Sequence, residues 1–515
     1  MLPPALLDAA RTAFTSTGPS ITLGAPLLGA DVAPEPIVRI PLAMLNRHGL
    51  IAGATGTGKT KTLQLIAEQL SEAGVPVFLA DIKGDLSGLG APGALNERVQ
   101  QRLTATGATT WSPTAYPVEF LSMTGKKGAQ LRATVSSFGA PLLAKVLGLN
   151  DTQSSVLALV FKYCDDHDLL LIDFSDLRAI LQHLTGDGAD ELKAYGGMSK
   201  QTVGVLLRRM VELESLGAGD FFGEPEFDLN DLFQIERDGR GLISVLELSD
   251  VPDKPAAWST FMLWMLATLY NTLPEVGDVE KPKLVFFFDE AHLLFNGANK
   301  ALVQQIETVI RLIRSKGIGV FFVTQSPKDI DADVLAQLGH RVQHALRAFT
   351  ADDDKALRAA ARTFPKTTHY DIEETLTSLG IGEAFVTVLG PRGVPTPPFS
   401  TMLLPPRSAM APLSDDDFAR RLLTPQVQKY ATAVDRDSAR EMLERRVAEA
   451  KEEAEAAAPA PAPRAPARER AAPRSESQRL ASTIGTSMAR TMAVAVAGTI
   501  TRGILGALMG KKPRR

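Results

Sequence analysis

This chain of 515 residues contains a single cysteine, Cys164. One thiol excludes an intramolecular disulfide framework and is typical of a protein that works in a reducing compartment. The sequence around it shows no obvious partner group for a metal site. We therefore interpret Cys164 as a small buried apolar residue.

Signals for secretion and membrane insertion are also scarce. The segment Met1 to Arg11 lacks a basic region, a long apolar region and a clear cleavage site. The uncharged stretch from Trp258 to Leu269 is twelve residues long, whereas a membrane-spanning helix needs about 20. We therefore expect a buried core helix at this stretch and a cytoplasmic protein.

Charge is distributed unevenly along the chain. The net charge is −4, yet residues 459–515 hold 11 Lys and Arg against 2 Asp and Glu, so the remainder is acidic. This basic segment suits DNA, RNA or an anionic membrane surface about equally well, and a helix packed between subunits is the plainer alternative. A membrane span at 491–510 is disfavoured by Arg502 near its middle.

Periodicity and composition predict an α/β protein with a mostly parallel sheet, an inserted helical subdomain and a helical or disordered C-terminal tail. The predicted units are a short N-terminal β segment (1–45), a core of alternating strands and helices (46–90 and 281–400), a mostly helical insert (91–280), a charged helical extension (401–457), a disordered Ala/Pro/Arg linker (458–476) and a basic tail helix rich in small residues (477–515).

The strongest motif is the stretch from Gly53 to Thr60, GATGTGKT, which fits the phosphate-binding pattern G-x-x-x-x-G-K-[ST]. Backbone N–H groups of such a loop cradle phosphates, its lysine reaches the β- and γ-phosphates, and its hydroxyl ligates Mg²⁺. A strand-like run enters the loop and a helical pattern leaves it, which places a helix N-terminus at the phosphates. The predicted nucleotide-binding residues are Gly53, Ala54, Thr55, Gly56, Thr57, Gly58, Lys59, Thr60 and Lys61, and Thr60 is also a predicted metal ligand.

Two predicted strands end in carboxylates, and ligands bind at the carboxyl ends of parallel strands. The first strand ends at Asp81, with Asp85 close behind, and the second ends in Asp289 and Glu290. We predict that Asp289 orients the Mg²⁺ shell and that Glu290 is the base or water-orienting group. For Glu290, a helix N-terminal acid is the alternative. Asp81 and Asp85 either contact the nucleotide site or its water, or serve the turn.

Gln325 follows the next buried strand, where it would sense the γ-phosphate or position water, unless it only shapes the turn before Pro327. Phosphoryl transfer commonly uses a supplied arginine. Arg314 leads into the strand that bears Gln325, and we hypothesise that it reaches into a neighbouring subunit's site. The alternative for Arg314 is a solvated surface position. Competitors for the role are Arg311, Arg341 and Arg347.

Together these motifs resemble the HerA–FtsK superfamily of ring-forming, RecA-like motor ATPases. The resemblance rests on HGLIAGATGTGKT at 48–60, VFFFDEAHLL at 285–294 and VTQSP at 323–327. Within this superfamily the chain is similar to a bacterial branch of HerA-like proteins. The matches to that branch lie at 81–88, 149–153, 221–225 and 341–349. The resemblance covers roughly residues 20–400 and, more loosely, the small-residue tail.

The resemblance implies a RecA-like core, ATP and Mg²⁺ as cofactors, and a homo-hexamer with sites between subunits. Lys59, Asp289, Glu290 and Gln325 match the family's lysine, metal-shell acid, catalytic acid and polar sensor, and Arg314 matches its trans-acting arginine. Archaeal HerA helicases carry an N-terminal β-barrel ahead of the motor, whereas about 45 residues precede the predicted core here. This departure weakens the transfer of nuclease-partnered DNA end resection.

The first functional hypothesis is a hexameric, ATP-driven DNA translocase or helicase-like motor. The alternative is an ATPase that acts on a protein partner or on a membrane-associated complex, which the basic tail would contact peripherally. A nucleotide-binding scaffold without hydrolysis is disfavoured because Lys59, Asp289 and Glu290 are all present.

Overall fold

A computed structural model describes residues 2–15, 18–277, 279–295, 300–434 and 436–456. The predicted linker at 458–476 and the predicted tail helix at 477–515 lie outside the described residues.

The described residues form one sheet of thirteen strands. In chain order the strands are β1 (Ser20–Leu28), β2 (Asp31–Val32), β3 (Val38–Pro41), β4 (Gly49–Ala52), β5 (Val77–Asp81), β6 (Val118–Ser122), β7 (Ala129–Gln130), β8 (Ile243–Glu247), β9 (Leu284–Phe288), β10 (Ile318–Thr324), β11 (His340–Gln343), β12 (Glu383–Thr387) and β13 (Phe399–Leu403).

Helices cover both faces of this sheet. They are α1 (Pro4–Phe14), α2 (Lys59–Glu72), α3 (Glu97–Thr106), α4 (Val135–Val146), α5 (Asp151–Asp166), α6 (Phe174–Thr185), α7 (Lys200–Ser215), α8 (Pro255–Thr272), α9 (Lys300–Ile313), α10 (Ala332–Leu335), α11 (Ala351–Ala361), α12 (Ile372–Ser378), α13 (Asp415–Arg421), α14 (Pro425–Ala431) and α15 (Ala439–Ala456).

The central part of the sheet is parallel. Its order is β2-β1-β13-β12-β11-β4-β10-β9-β5-β8-β6-β7, and β3 also pairs with β1. All pairs from β11 to β7 are parallel, whereas β12, β13 and the N-terminal strands are antiparallel. The predicted α/β class with a mostly parallel sheet is confirmed. Strands β4, β10, β9 and β5 lie side by side, so their carboxyl ends meet at one edge.

Two hydrophobic cores flank the sheet because successive side chains of a strand point to opposite faces. In β9, Phe286 and Phe288 belong to one core, and Val285 and Phe287 belong to the other. The first core also contains residues of α4 to α9, and the second contains residues of α1, α2, α11 and α12. Each fully buried Phe contributes about 1.5–3 kcal/mol relative to an exposed one, so burial on both faces holds β9 firmly in place.

The N-terminal strands extend this sheet. β1 pairs antiparallel with β3, where Ile21 is opposite Ile40, and on its other side β1 pairs with β13. α1 precedes β1, although the sequence patterns indicated only β structure there.

The stretch 91–280 supplies strands as well as helices. β6, β7 and β8 continue the sheet beyond β5, and α4 to α8 pack over one face. The uncharged stretch from Trp258 to Leu269 lies in α8, where Trp258, Phe261 and Trp264 are buried. Among the described helices, none is both long enough and apolar enough to cross a membrane. Cys164 is buried in the same core, as predicted.

Candidate active site at the carboxyl edge of the sheet

The phosphate loop connects β4 to α2 and depends on glycine. Gly53, Gly56 and Gly58 have φ angles of 154°, 76° and 115°, which disfavour side chains. A Cβ on Gly53 would also lie 2.5 Å from the Cβ of His344. The loop therefore brings its backbone close to β11, and residues with side chains would disrupt it.

Lys59 begins α2, and its ammonium turns back into the loop. Its Nζ donates to the carbonyl oxygens of Gly53 at 2.7 Å and Ala54 at 3.2 Å. Burial lowers the pKa of Lys59, and the charge of Glu290 partly opposes this shift. The negative charge of Glu290 therefore acts on Lys59 across the edge of the sheet.

Three carboxylates converge beside this loop. Asp81 ends β5, Asp85 follows it, and Asp289 comes directly after β9. One oxygen from each lies within 4.8 Å of the others. Carboxylate oxygens are the ligands that Mg²⁺ prefers. Among the described residues this is the one such cluster able to hold a metal ion.

Asp289 is 2% exposed, and its two carboxylate oxygens differ in their hydrogen bonding. Oδ1 accepts a hydrogen bond from the backbone N–H of Glu290 at 2.9 Å, whereas Oδ2 has no partner within the described part of the chain. Burial, followed by the charge of Glu290, raises the pKa of Asp289 to about 7. A buried oxygen without a partner is costly, and a bound cation would relieve this cost.

Asp81 serves the turn and also faces the site. Its Oδ1 accepts from the backbone N–H of Lys83 at 3.1 Å and of Gly84 at 2.8 Å, and its Oδ2 accepts from Leu86 at 2.8 Å. Burial raises the pKa of Asp81 to about 6. Asp85 differs, because its buried Oδ1 lacks a partner in the described ranges. The turn role of Asp81 is thus observed, whereas its contact with the nucleotide site stays a prediction.

Glu290 adopts a backbone conformation that is rare for residues other than glycine, with φ 48° and ψ 46°. Its Oε1 accepts a hydrogen bond from Lys83 Nζ, and its Oε2 lies 3.3 Å from His292 Nδ1. Burial alone would raise the pKa of Glu290, but Lys83, together with the charges of His292 and Lys59, outweighs burial and lowers it. The side chain is therefore a charged carboxylate at neutral pH.

The remaining loop residues and Gln325 lie at the same edge. Gln325 is exposed just after β10, the strand between β4 and β9. Thr60 is half-buried in the first turn of α2, and Thr55 is exposed in the loop. Lys61 Nζ donates to the carbonyl oxygen of Met410 at 2.5 Å, and burial lowers its pKa.

Arg314 lies at the opposite edge. It begins a short turn after α9 and precedes the amino end of β10, whereas the phosphate loop follows the carboxyl end of the parallel strand β4. The competitors are dispersed: Arg311 is exposed beside Glu307, Arg341 donates to the carbonyl oxygen of Thr363 at 3.2 Å, and Arg347 is exposed after β11. Arg314 therefore lies away from the phosphate loop of its own chain, and its action in a neighbouring subunit stays a prediction.

Sequence reasoning missed the residues that support the loop. His344 Nε2 lies 2.9 Å from Thr62 Oγ1, and Gly382 N–H donates to the carbonyl oxygen of Thr57 at 2.9 Å. These contacts join residues about 280 and 325 positions apart in the chain, so no local pattern indicated them. Lys83 was also missed, although it lies between Asp81 and Asp85 in the sequence.

Comparisons with known proteins identify the family and similar folds. A family model described as Helicase HerA-like C-terminal matches residues 28–514. The DNA double-strand break repair helicase HerA of Saccharolobus solfataricus is 22% identical over 370 residues, and that of Sulfurisphaera tokodaii is 24% identical over 374 residues. Each match covers 70% of this chain but only 65% of the relative.

Among solved structures, the bacterial conjugative coupling protein TrwBdeltaN70, in its unbound monoclinic form, matches with a TM-score of 0.50. The two chains are 14% identical, and the match covers 79% of this chain and 92% of that one. At this identity the similarity concerns the fold alone. The family match spans most of the sequence and confirms the resemblance: this chain belongs to the Helicase HerA-like C-terminal family.

Proposed function

We propose that this protein hydrolyses ATP in a Mg²⁺-dependent reaction and uses the energy to move DNA, as a translocase or helicase-like motor. One observation carries the ATPase assignment. The phosphate loop after β4 is one strand removed from β9, whose end presents Asp289 and Glu290, both buried. A phosphate cradle and a charged carboxylate are thus held at one edge of a rigid sheet.

The residues at this edge fit a Mg²⁺–nucleotide complex. Asp289 and Asp85 each present a buried oxygen that lacks a partner among the described residues. Together with the Thr60 hydroxyl they would hold the metal ion. When bound, Mg²⁺ would supply positive charge that neutralises the phosphates.

The chain's own side chains then supply the steps of hydrolysis. Lys59 lies at the loop and binds the β- and γ-phosphate oxygens. Glu290 accepts a proton from the water that attacks the γ-phosphorus, while the bond from that phosphorus to the ADP oxygen breaks. Gln325, exposed after β10, orients the water or senses the γ-phosphate.

The opposite placement of Arg314 supports a homo-hexamer in which one subunit completes the site of the next. In such an assembly Arg314 of one copy stabilises the charge that develops on the transferred phosphoryl group of its neighbour. The curated relatives are named as DNA double-strand break repair helicases, which supports DNA as the substrate. The single cysteine supports a cytoplasmic location.

The charge distribution favours a second candidate function. Apart from the basic segment at 459–515 the chain is acidic, and an acidic surface repels DNA phosphates. An ATPase that acts on a protein partner or on a membrane-associated complex needs no contact with DNA, so an acidic surface would not oppose its function.

ATP turnover of the full chain, with and without DNA at low salt, tests both candidates. We expect hydrolysis that saturating single- or double-stranded DNA stimulates, and turnover that DNA leaves unchanged would favour the second candidate. Glu290→Gln should lower turnover at least about 100-fold while ATP still binds. Glu452→Gln, an exposed position on α15, is the matched control.

A chain without residues 459–515 locates the DNA contact. If the basic segment supplies it, the truncated chain retains basal hydrolysis but loses the stimulation by DNA and its dependence on salt. Stimulation equal to that of the full chain would place the contact on the remaining residues.

A further inference from the structure

Lys83 forms an ion pair with Glu290, the carboxylate that we propose as the general base. Lys83 Nζ donates to Glu290 Oε1 in an ion pair across the neighbouring strands β5 and β9. The side chain of Lys83 is 46% exposed, whereas that of Glu290 is 7% exposed. The pair therefore joins a buried acid to a cation that still reaches solvent.

The same ammonium also faces the carboxylates proposed to hold Mg²⁺. The charges of Asp289 and Asp85 act on Lys83 in addition to that of Glu290. Asp85 and Asp289 belong to the three-carboxylate cluster described above. The ammonium of Lys83 therefore lies close to the place where a divalent cation would bind. The ammonium and the cation would compete for the negative charge of the same carboxylates.

Only the side chain of Lys83 has to move for a cation to enter. Asp81 fixes the backbone of this loop, because its carboxylate accepts the N–H groups of Lys83, Gly84 and Leu86. The half-exposed stem of Lys83 has solvent beside it. Departure of the ammonium leaves the loop and its carboxylates in place.

We propose that Lys83 is a tethered counter-ion that holds Glu290 in an ion pair and neutralises the carboxylate cluster until Mg²⁺ and nucleotide displace it. Lys83 is a positioning residue, since it acts through Glu290 and the cluster. The inference rests on the proposed ATPase function. It predicts that the lysine weakens the binding of divalent cations and delays the release of Glu290 for catalysis.

Binding of Mn²⁺ to the nucleotide-free full chain tests the inference without activity. Electron paramagnetic resonance measures free Mn²⁺ during a titration of wild type, Lys83→Met and Lys83→Arg. We expect Lys83→Met to bind Mn²⁺ about fivefold more tightly, since a nearby positive charge is removed, and Lys83→Arg to bind as wild type does. Lys126→Met, an exposed lysine after β6, is the control and should leave binding unchanged.

The Mg²⁺ dependence of ATP turnover provides the second readout. Lys83→Met should reach half-maximal turnover at about one fifth of the wild-type Mg²⁺ concentration, and Lys83→Arg should restore the wild-type requirement. An unchanged or higher requirement in Lys83→Met, with unchanged Mn²⁺ binding, would overturn the inference. A wild-type chain that does not hydrolyse ATP would refute the proposed function instead, and the Mn²⁺ titration would still decide the role of Lys83.

Discussion

Thr62 and His344 are 282 positions apart in the chain, yet Thr62 Oγ1 lies 2.9 Å from His344 Nε2 directly behind the phosphate loop. His344 N–H also donates to the carbonyl oxygen of Ala52 at 2.7 Å, the last residue of β4. His344 thus links the helix that leaves the loop, through its ring, to the strand that enters it, through its backbone N–H. The geometry of the loop therefore depends on β11 as much as on its own glycines.

The first prediction concerns this contact. Thr62→Val and His344→Gln should each lower the free energy of unfolding, and the two changes together should cost about 1 kcal/mol less than the sum of the single changes. Chemical unfolding of the four proteins measures this coupling. His369 lies in a separate loop, so the effects of Thr62→Val and His369→Gln on the free energy of unfolding should be additive. Additivity in both pairs would show that the Thr62 contact contributes nothing.

A second prediction concerns Arg102, which supports the loop from α3. Its guanidinium donates to the carbonyl oxygens of Ile381 and Gly382, both at 2.8 Å, and Gly382 N–H bonds Thr57 in the phosphate loop. Arg102→Ala should weaken ATP binding about tenfold through lost preorganisation, since a hydrogen bond from a charged group is worth about 1.5–3 kcal/mol. Equilibrium titration with a fluorescent ATP analogue measures the affinity.

Arg98→Ala is the matched control, because Arg98 is exposed on the same helix. It should bind the analogue as wild type does. Equal affinities of Arg102→Ala and wild type would show that the loop keeps its shape without this support.

Sequence reasoning identified the parts of the site that local motifs encode. The loop from Gly53 to Thr60 and the acids Asp289 and Glu290 are defined by a few neighbouring residues and by an adjacent buried strand. The contacts of His344 and Arg102 depend on which strands become neighbours, and that order follows from packing of the whole chain. The same reason explains why the order of the sheet, and the position of β6 and β8 beyond β5, were not predicted.

A third prediction concerns pH and His340, which is fully buried at the start of β11. Leu389 N–H donates to its Nδ1 at 3.3 Å, and its Nε2 donates to the carbonyl oxygen of Met44 at 2.8 Å. Burial lowers the pKa of His340 to about 4, against about 6.5 in the unfolded chain. The stabilisation by the neutral ring is thus complete above pH 6.5 and is lost as pH falls toward 4.

His340→Gln removes this titration. The difference in free energy of unfolding between wild type and His340→Gln should therefore decrease by about 1.4 kcal/mol for each pH unit below pH 6.5. Chemical unfolding at pH 8, 6 and 5 measures this difference. Met44→Leu keeps the accepting carbonyl group, so its free energy of unfolding should differ from that of wild type by the same amount at each pH. If the difference between wild type and His340→Gln were also the same at each pH, the assigned titration of His340 would be contradicted.

A fourth prediction concerns the C-terminal extension, which Tyr430 anchors. Its hydroxyl donates to Asp231 at 2.7 Å and accepts from the N–H of Asp228 at 2.9 Å, while its ring is buried. Tyr430→Phe leaves both groups without this partner and should lower the free energy of unfolding by about 1–3 kcal/mol. It should also speed proteolysis within residues 401–456. Tyr195→Phe, at an exposed hydrogen bond to Asp166, should have little effect, and unchanged proteolysis of Tyr430→Phe would argue against the anchor.

The fifth prediction tests whether Arg314 acts between subunits. Because Arg314 precedes β10 at the edge opposite the phosphate loop, Arg314→Ala and Glu290→Gln should each abolish turnover of the pure protein. In a mixed assembly of the two variants, roughly a quarter of the interfaces pair an intact Arg314 with an intact Glu290, so mixing should restore part of the activity. If Arg314 instead acted within its own chain, no mixture would regain turnover.

The same mixing with Arg311→Ala, Arg341→Ala and Arg347→Ala identifies the trans-acting arginine. Only the variant of that residue should lose turnover when pure and regain it when mixed with Glu290→Gln.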